Sequence, residues 1–166
     1  MDFDLSDEQK MLAEQARGLL AERTPYDHLR QLIDGGAEWD EPLWRELGEM
    51  GFLGANIPEA HGGLGMNELD LGVISQELGR ANAAVPFFSS IVLAADAIRL
   101  AGSAEQQAEW LPKLASGEVV ACFASAEGPG PVLGRGTRLE GGKLTGTKQP
   151  VADAGIAQIA VVQVVD

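Results

Sequence analysis

Trp110-Leu111-Pro112-Lys113-Leu114-Ala115-Ser116-Gly117 followed by Glu118-Val119-Val120-Ala121-Cys122-Phe123-Ala124-Ser125-Ala126 is the point at which the chain changes character. Before it the apolar residues recur at helical spacing with capping signals; after it come β-branched runs separated by Gly and Pro. Pro112 is expected to end or kink the helix that a Ser103–Gln106 capping box opens. The boundary is placed near Gly117, giving a helical unit over 1–117 and a β unit over 118–166.

Working toward the N-terminus, a capping box at Ser6 and Gln9 starts a helix with Met11, Leu12, Ala16, Leu19 and Leu20 on one face. Thr24 and Pro25 read as N-cap and first residue of a second helix that Gly35 and Gly36 end. Asp40 opens a third, burying Leu43, Trp44 and Leu47 and stopping at Gly51. Asn67 to Gly79 makes a fourth, and Pro86 to Leu100, apolar on nearly every side, reads as the centre of a bundle. With the helix after Ser103 the count is six.

Toward the C-terminus the strands are Val119–Ala126, Thr137–Glu140, Lys143–Thr147 and Ile156–Val165, with Gly141-Gly142 as a hairpin turn. Four strands with a bare last edge are expected to be part of a larger sheet or barrel. The fold class is therefore mainly α with a β segment, and the sequence reads as one domain plus part of a second.

Composition excludes several functions. The 166 residues carry 12 basic and 25 acidic side chains, a net charge of −13. All of that excess lies in the first 118 residues, which hold 8 basic and 21 acidic groups; four of each follow. No basic surface for phosphates is available, so no nucleic-acid partner is expected. The longest apolar run, Val85 to Ala101, is 17 residues with Asp96 and Arg99 inside it, short of the ~20 that a membrane span requires. The first residues, MDFDLSDEQK, have neither the basic nor the apolar region of a secretory signal. One cysteine, Cys122, and two histidines, His28 and His61, support neither an internal disulfide nor a metal cluster, so the expectation is no metal and a cytoplasmic location. A dinucleotide fingerprint begun at Gly134 and Gly136 fails at Leu139, a P-loop ending at Gly142-Lys143 fails at Thr137, and no nucleophile elbow occurs. His61 reads as a loop residue rather than a base.

What survives is an order of phrases: Ile57-Pro58-Glu59-Ala60-His61-Gly62-Gly63-Leu64-Gly65, then Gln76-Glu77-Leu78-Gly79-Arg80, then Gln106 through Trp110-Leu111-Pro112 to Gly117-Glu118. This order resembles the N-terminal part of the acyl-CoA dehydrogenase family, from about Phe3 to Val165. The resemblance implies a helical N-terminal domain, here complete, followed by less than half of a middle β-barrel. A C-terminal helical domain would follow, with FAD between the last two domains and across a subunit interface.

It also implies site residues. In the family, a Thr-Glu-Pro-x-x-Gly-Ser-Asp turn contacts the flavin; the matching stretch resembles Phe123-Ala124-Ser125-Ala126-Glu127-Gly128-Pro129-Gly130-Pro131, with Ala126 for the Thr and no Gly-Ser-Asp after it. Backbone contacts from Phe123, Ser125 and Ala126 can persist. A second phrase, Asn-Gly-x-Lys-x-Trp-Ile-Thr-Asn, aligns with Thr145 to Asp153, placing Pro150 for the Trp beside the ring and Ala152 for the Thr near N5 and O4. Because an aimed donor at such a site is worth ~2.7–4 kcal/mol, the changes imply a weaker or differently organised flavin site. The acyl wall maps to Val85, Pro86, Phe87, Phe88 and Ser89, where two Phe narrow the pocket or simply pack the core. The family's proton-abstracting Glu lies on a segment not matched here, so no catalytic residue is assigned and residues 1–166 alone are expected to be inactive. Glu59, Glu77 and Glu127 are read as loop, helix-surface and turn carboxylates.

The implied function is FAD-dependent α,β-dehydrogenation of an acyl-CoA thioester in fatty acid metabolism. It would take place in a homo- or hetero-oligomer, with electron-transfer flavoprotein or a similar acceptor. The alternative is a noncatalytic, non-flavin-binding scaffold subunit paired with an active homologue; a six-helix bundle with a small β extension and an unrelated function is the third reading.

Overall fold

The computed structural model describes residues 4–128 and 136–164. Six helices form the bundle: α1 (Asp7–Arg23), α2 (Tyr26–Asp34), α3 (Glu41–Glu49), α4 (Glu68–Arg80), α5 and α6 (Ala104–Ala115). Within α5 the winding is π-type over Phe88–Ala95 and α-type over Asp96–Ala101. Four short strands follow: β1 (Ala121–Ala124), β2 (Arg138–Glu140), β3 (Lys143–Thr145) and β4 (Ile159–Val162). The architecture is mainly α with a β segment.

Local chemistry sets most of the helix starts. Ser6 and Ser103 form reciprocal capping boxes with Gln9 and Gln106, and Asn67 forms one with Asp70. The Asp40 carboxylate accepts from the Leu43 amide at 3.1 Å, opening α3. At the second helix the start shifts by one residue: Pro25, not Thr24, is the N-cap, because the Thr24 hydroxyl donates back to the Leu20 carbonyl at 2.6 Å and closes α1 instead. Pro112 neither ends nor visibly interrupts α6, which runs on to Ala115. Leu111, Leu114 and Ala115 on its inner face are buried, and the Ser116 amide continues the ladder to the Pro112 carbonyl at 3.1 Å; that burial outweighs the one bond proline cannot make.

Around Trp44, Leu20, Leu47, Leu53, Ile57, Ile74, Ile91, Leu111 and Leu114 the bundle closes into one core. Glu77 is a correction to the sequence reading: it is 2% exposed, not on the helix surface. Arg17 on α1 forks onto it with bonds of 3.0 and 2.7 Å, and Arg80 approaches at 3.2 Å. A buried carboxylate needs such partners, and Arg17, the dominant one, holds the Glu77 carboxyl below its ordinary range.

The 57–65 phrase folds back on the chain before it. Leu64, Gly65 and Met66 donate their amides to Gly54, Ile57 and Ala55 at 2.9, 2.9 and 2.7 Å. The backbone passes so close that an added Cβ on Gly63 would lie 2.0 Å from the Ile57 carbonyl oxygen and 2.6 Å from that of Gly54.

In the β segment, β1 and β4 pair in parallel with Ala121 opposite Ile159 and Ala124 opposite Val162. β2 and β3 form the expected antiparallel hairpin, with Gly141 and Gly142 at φ 56° and 77° as a primed turn requires. The last strand is shorter than the Ile156–Val165 run, since Ile156 and Ala157 turn back to donate to the Asp153 carbonyl at 3.2 and 3.1 Å. No described helix is long and apolar enough to cross a membrane.

Candidate functional site

β1 lies against the π-wound part of α5. Ser90, fully buried there, accepts the Ala121 amide at 3.0 Å. One residue earlier, buried Ser89 hydrogen-bonds the Asp153 carboxylate. Asp153 directly follows Ala152, so the segment Val85 to Ser89, which leads into α5, and the loop carrying Pro150 and Ala152 meet through side chains.

The flavin-facing candidates are gathered by two backbone bonds. Gln149 donates to the Ala126 carbonyl at 2.8 Å and accepts from the Gly128 amide at 2.7 Å. Phe123, Ser125 and Ala126 are half-buried, and Pro150 and Ala152 are exposed. The Ser125 hydroxyl makes no hydrogen bond among the described residues, although its carbonyl accepts from Lys148 Nζ at 3.1 Å. A half-buried hydroxyl with no partner among the described residues suits the polar edge of a flavin. Ala126 and Ala152 add no hydroxyl, and Pro150 adds no aromatic plane. Pro129, Gly130 and Pro131 lie outside the described residues.

Within the acyl wall the two phenylalanines separate. Phe87 is 4% exposed and belongs to the core, whereas Phe88 is 64% exposed. Together with Val85, Ser75, Leu78 and Asn82 they line an open depression of about 250 Å³. Pro86 and Ser89 are buried. A larger groove, about 530 Å³, runs between α6 and β4 past Ile98, Trp110 and Ile159, and contains none of the expected site residues.

Glu127 holds this region in shape. Its carboxylate accepts from Lys148 Nζ at 2.8 Å and from the Gly136 and Thr137 amides at 2.7 and 2.8 Å. The Lys148 ammonium foremost, then Thr137 and the Gly136 amide, lower its pKa from 4.5 to about 2. Lys148 stands at the Lys of the second phrase but, like Thr137, is given no role by the sequence reading. A carboxyl depressed on folding stabilises above its unfolded pKa and loses that contribution as pH falls through the folded one. The clamp should therefore be intact at pH 4.5 and above and fail progressively toward pH 2. NMR titration of the Glu127 carboxyl carbon should give a midpoint near 2, moving up toward 4.5 in Lys148→Met; a wild-type midpoint near 4.5 would contradict the clamp.

Proton abstraction finds no candidate among the three glutamates. Glu77 is locked by arginines, Glu127 is clamped, and Glu59 opens the exposed turn Glu59–His61. Among the described residues no three His, Cys, Asp or Glu side chains come together to hold a metal.

Residues 6–118 match the sequence profile of the acyl-CoA dehydrogenase N-terminal domain. A probable acyl-CoA dehydrogenase from Bacillus subtilis is 33% identical over 169 aligned residues, covering 96% of this chain and 28% of that protein. Acyl-CoA dehydrogenase FadE27 from Mycobacterium tuberculosis is 38% identical over 135, covering 77% of this chain and 36% of its own length. Among solved structures, the ChsE4-ChsE5 complex from Mycobacterium tuberculosis superposes with a TM-score of 0.84 at 30% identity, over 98% of this chain and 46% of that one. An acyl-CoA dehydrogenase complexed with FAD from Bacillus anthracis gives 0.81 at 28%, over 97% of this chain and 29% of that one. The chain thus spans between a quarter and half of the length of these relatives.

Proposed function

The chain belongs to the acyl-CoA dehydrogenase family, and on that footing we propose that it contributes to FAD-dependent α,β-dehydrogenation of an acyl-CoA thioester. In this reading residues 1–117 are the N-terminal helical domain and 118–166 the opening of the middle β-domain. The observation that carries it is the Ser89–Asp153 contact, through which the acyl-wall helix and the flavin-facing loop adjoin.

Bound FAD supplies the hydride acceptor. This chain's own residues bind and shape: Ser125 offers a hydroxyl, Phe123 and Ala126 offer backbone groups, and Pro150 and Ala152 stand as the edge of the loop toward the ring. Val85 and Phe88 line the acyl side, Phe88 being the phenylalanine free to meet a chain, while Pro86, Phe87 and Ser89 back it from within. The base that takes the α-proton is assigned to the part of the protein outside residues 1–166, and these residues alone are inactive. Electron-transfer flavoprotein or a similar acceptor, a homo- or hetero-oligomeric assembly and a cytoplasmic location belong to the same proposal; a two-component assembly is known for the similar ChsE4-ChsE5 complex.

The second reading, a scaffold subunit without flavin, is favoured by the missing groups at Ala126, Pro150 and Ala152. The two readings separate on the purified full-length protein: bound FAD that bleaches on adding acyl-CoA supports the first, and a colourless protein that binds no FAD supports the second. In the first case Ala126→Thr with Pro150→Trp should tighten FAD about tenfold, since a hydrogen bond contributes ~0.5–1.5 kcal/mol and an aromatic contact a similar amount. Unchanged or weaker binding in a titration would count against these two positions facing the ring.

A further inference from the structure

Ser89 and Asp153 are 64 residues apart in the chain. The Ser89 side chain, on a residue 2% exposed, has two acceptors in reach, the Pro86 carbonyl at 3.2 Å and the Asp153 carboxylate. A hydroxyl has one proton, and the charged acceptor is the stronger, so it donates to Asp153. Asp153 in turn has a left-handed backbone, φ 56°, and its carbonyl closes the turn by accepting from Ile156 and Ala157. Its charge also reaches the buried Cys122 thiol of β1, whose pKa is raised by burial first and by Asp153 second. Asp153 therefore sits where α5, β1 and the 149–157 loop converge. The wide winding of α5 turns consecutive serines onto this junction, Ser90 to the β1 backbone and Ser89 to the loop.

We propose that Ser89 and Asp153 are a positioning pair that fixes the loop bearing Pro150 and Ala152 against the acyl-wall helix. That loop has neither an aromatic plane at 150 nor a hydroxyl at 152 with which to seat itself on a flavin; its start is held by the Gln149 backbone bonds to Ala126 and Gly128, and the Ser89–Asp153 bond is the side-chain anchor at its other end. The pair's meaning for FAD rests on the function proposed above; its hold on the loop does not.

The test uses the full-length protein with and without FAD. Ser89→Ala removes the donor inside the core, and Asp153→Gly removes the acceptor on an exposed loop while keeping the left-handed backbone available. Asp153→Asn retains an acceptor and serves as the rescue. Without flavin, amide exchange at Ile156 and Ala157 should be about tenfold faster in the first two variants and near the parent rate in the third. FAD should bind about tenfold more weakly in the same two and not in the third. Unchanged exchange in Ser89→Ala and Asp153→Gly would overturn the pair. Faster exchange with unaltered FAD affinity would overturn its role in placing the flavin-facing loop. A parent that binds no FAD, with the exchange pattern as expected, would overturn the flavin reading and leave the pair as the loop's anchor.

Discussion

Gly63→Ala should lower the stability of the helical bundle by about 3 kcal/mol or more, a large share of the ~5–15 kcal/mol typical of a domain. The added methyl would sit 2.0 Å from a carbonyl oxygen that belongs to backbone and cannot swing aside. The loop must move outward, stretching the Leu64 and Gly65 amide bonds to Gly54 and Ile57. Each such bond contributes ~0.5–1.5 kcal/mol, and the overpacking itself costs ~1–3. The neighbouring Gly62 is the control: its φ is 79° and nothing lies within 4 Å of an added Cβ. Gly62→Ala should therefore cost only the left-handed penalty, ~1–2 kcal/mol. Urea unfolding of the two variants side by side decides the matter; equal losses would mean that close approach is not what position 63 requires.

Trp44→Ala is the second large effect, at about 3–5 kcal/mol. Trp44 is 1% exposed, the largest of the fully buried side chains, and packs edge-to-face on Trp39 with ring centroids 6.2 Å apart. Its indole N–H donates to the Gly117 carbonyl at 3.1 Å, so the same side chain fills the core and ties α3 to the start of the β segment. Trp44→Phe keeps most of the volume and loses the bond, and should cost ~1–2 kcal/mol. Thermal unfolding would measure both. A Phe variant as unstable as the Ala variant would place the weight on the hydrogen bond instead of the packing.

Features written in short stretches of sequence were legible. Ser6 with Gln9, Ser103 with Gln106, and Gly141-Gly142 specify their caps and turn through residues at most three positions apart, and all three appear in the structure. What escaped was decided by distant residues. Glu77 reads as a surface carboxylate because its partner Arg17 lies 60 positions away. The π winding of Phe88–Ala95 leaves no periodicity of its own in a run apolar on nearly every face. Pro112 looks like a terminator until the burial of Leu114 and Ala115 is known. In the candidate site, the resemblance supplied residue positions, but the division between Phe87 in the core and Phe88 at the surface, and the bond from Ser89 to Asp153, depend on how α5 meets β1.

The helical bundle grips the start of the β segment through main-chain atoms: Trp44 reads the carbonyl of Gly117, and Ser90 reads the amide of Ala121. Neither bond uses a side chain of the β segment, but both need small residues there: Gly117 has φ 74° and an added Cβ would lie 3.2 Å from Trp44 Nε1, and Ala121 is fully buried. Mutational change in the turn after β1 is thereby uncoupled from docking, provided Trp44, Ser90, Gly117 and the buried residues of β1 stay. Residues 126 and 150 could therefore change identity while the two units stay docked. The accessible surface at 126 and 150 can be rewritten without dismantling the frame that holds it.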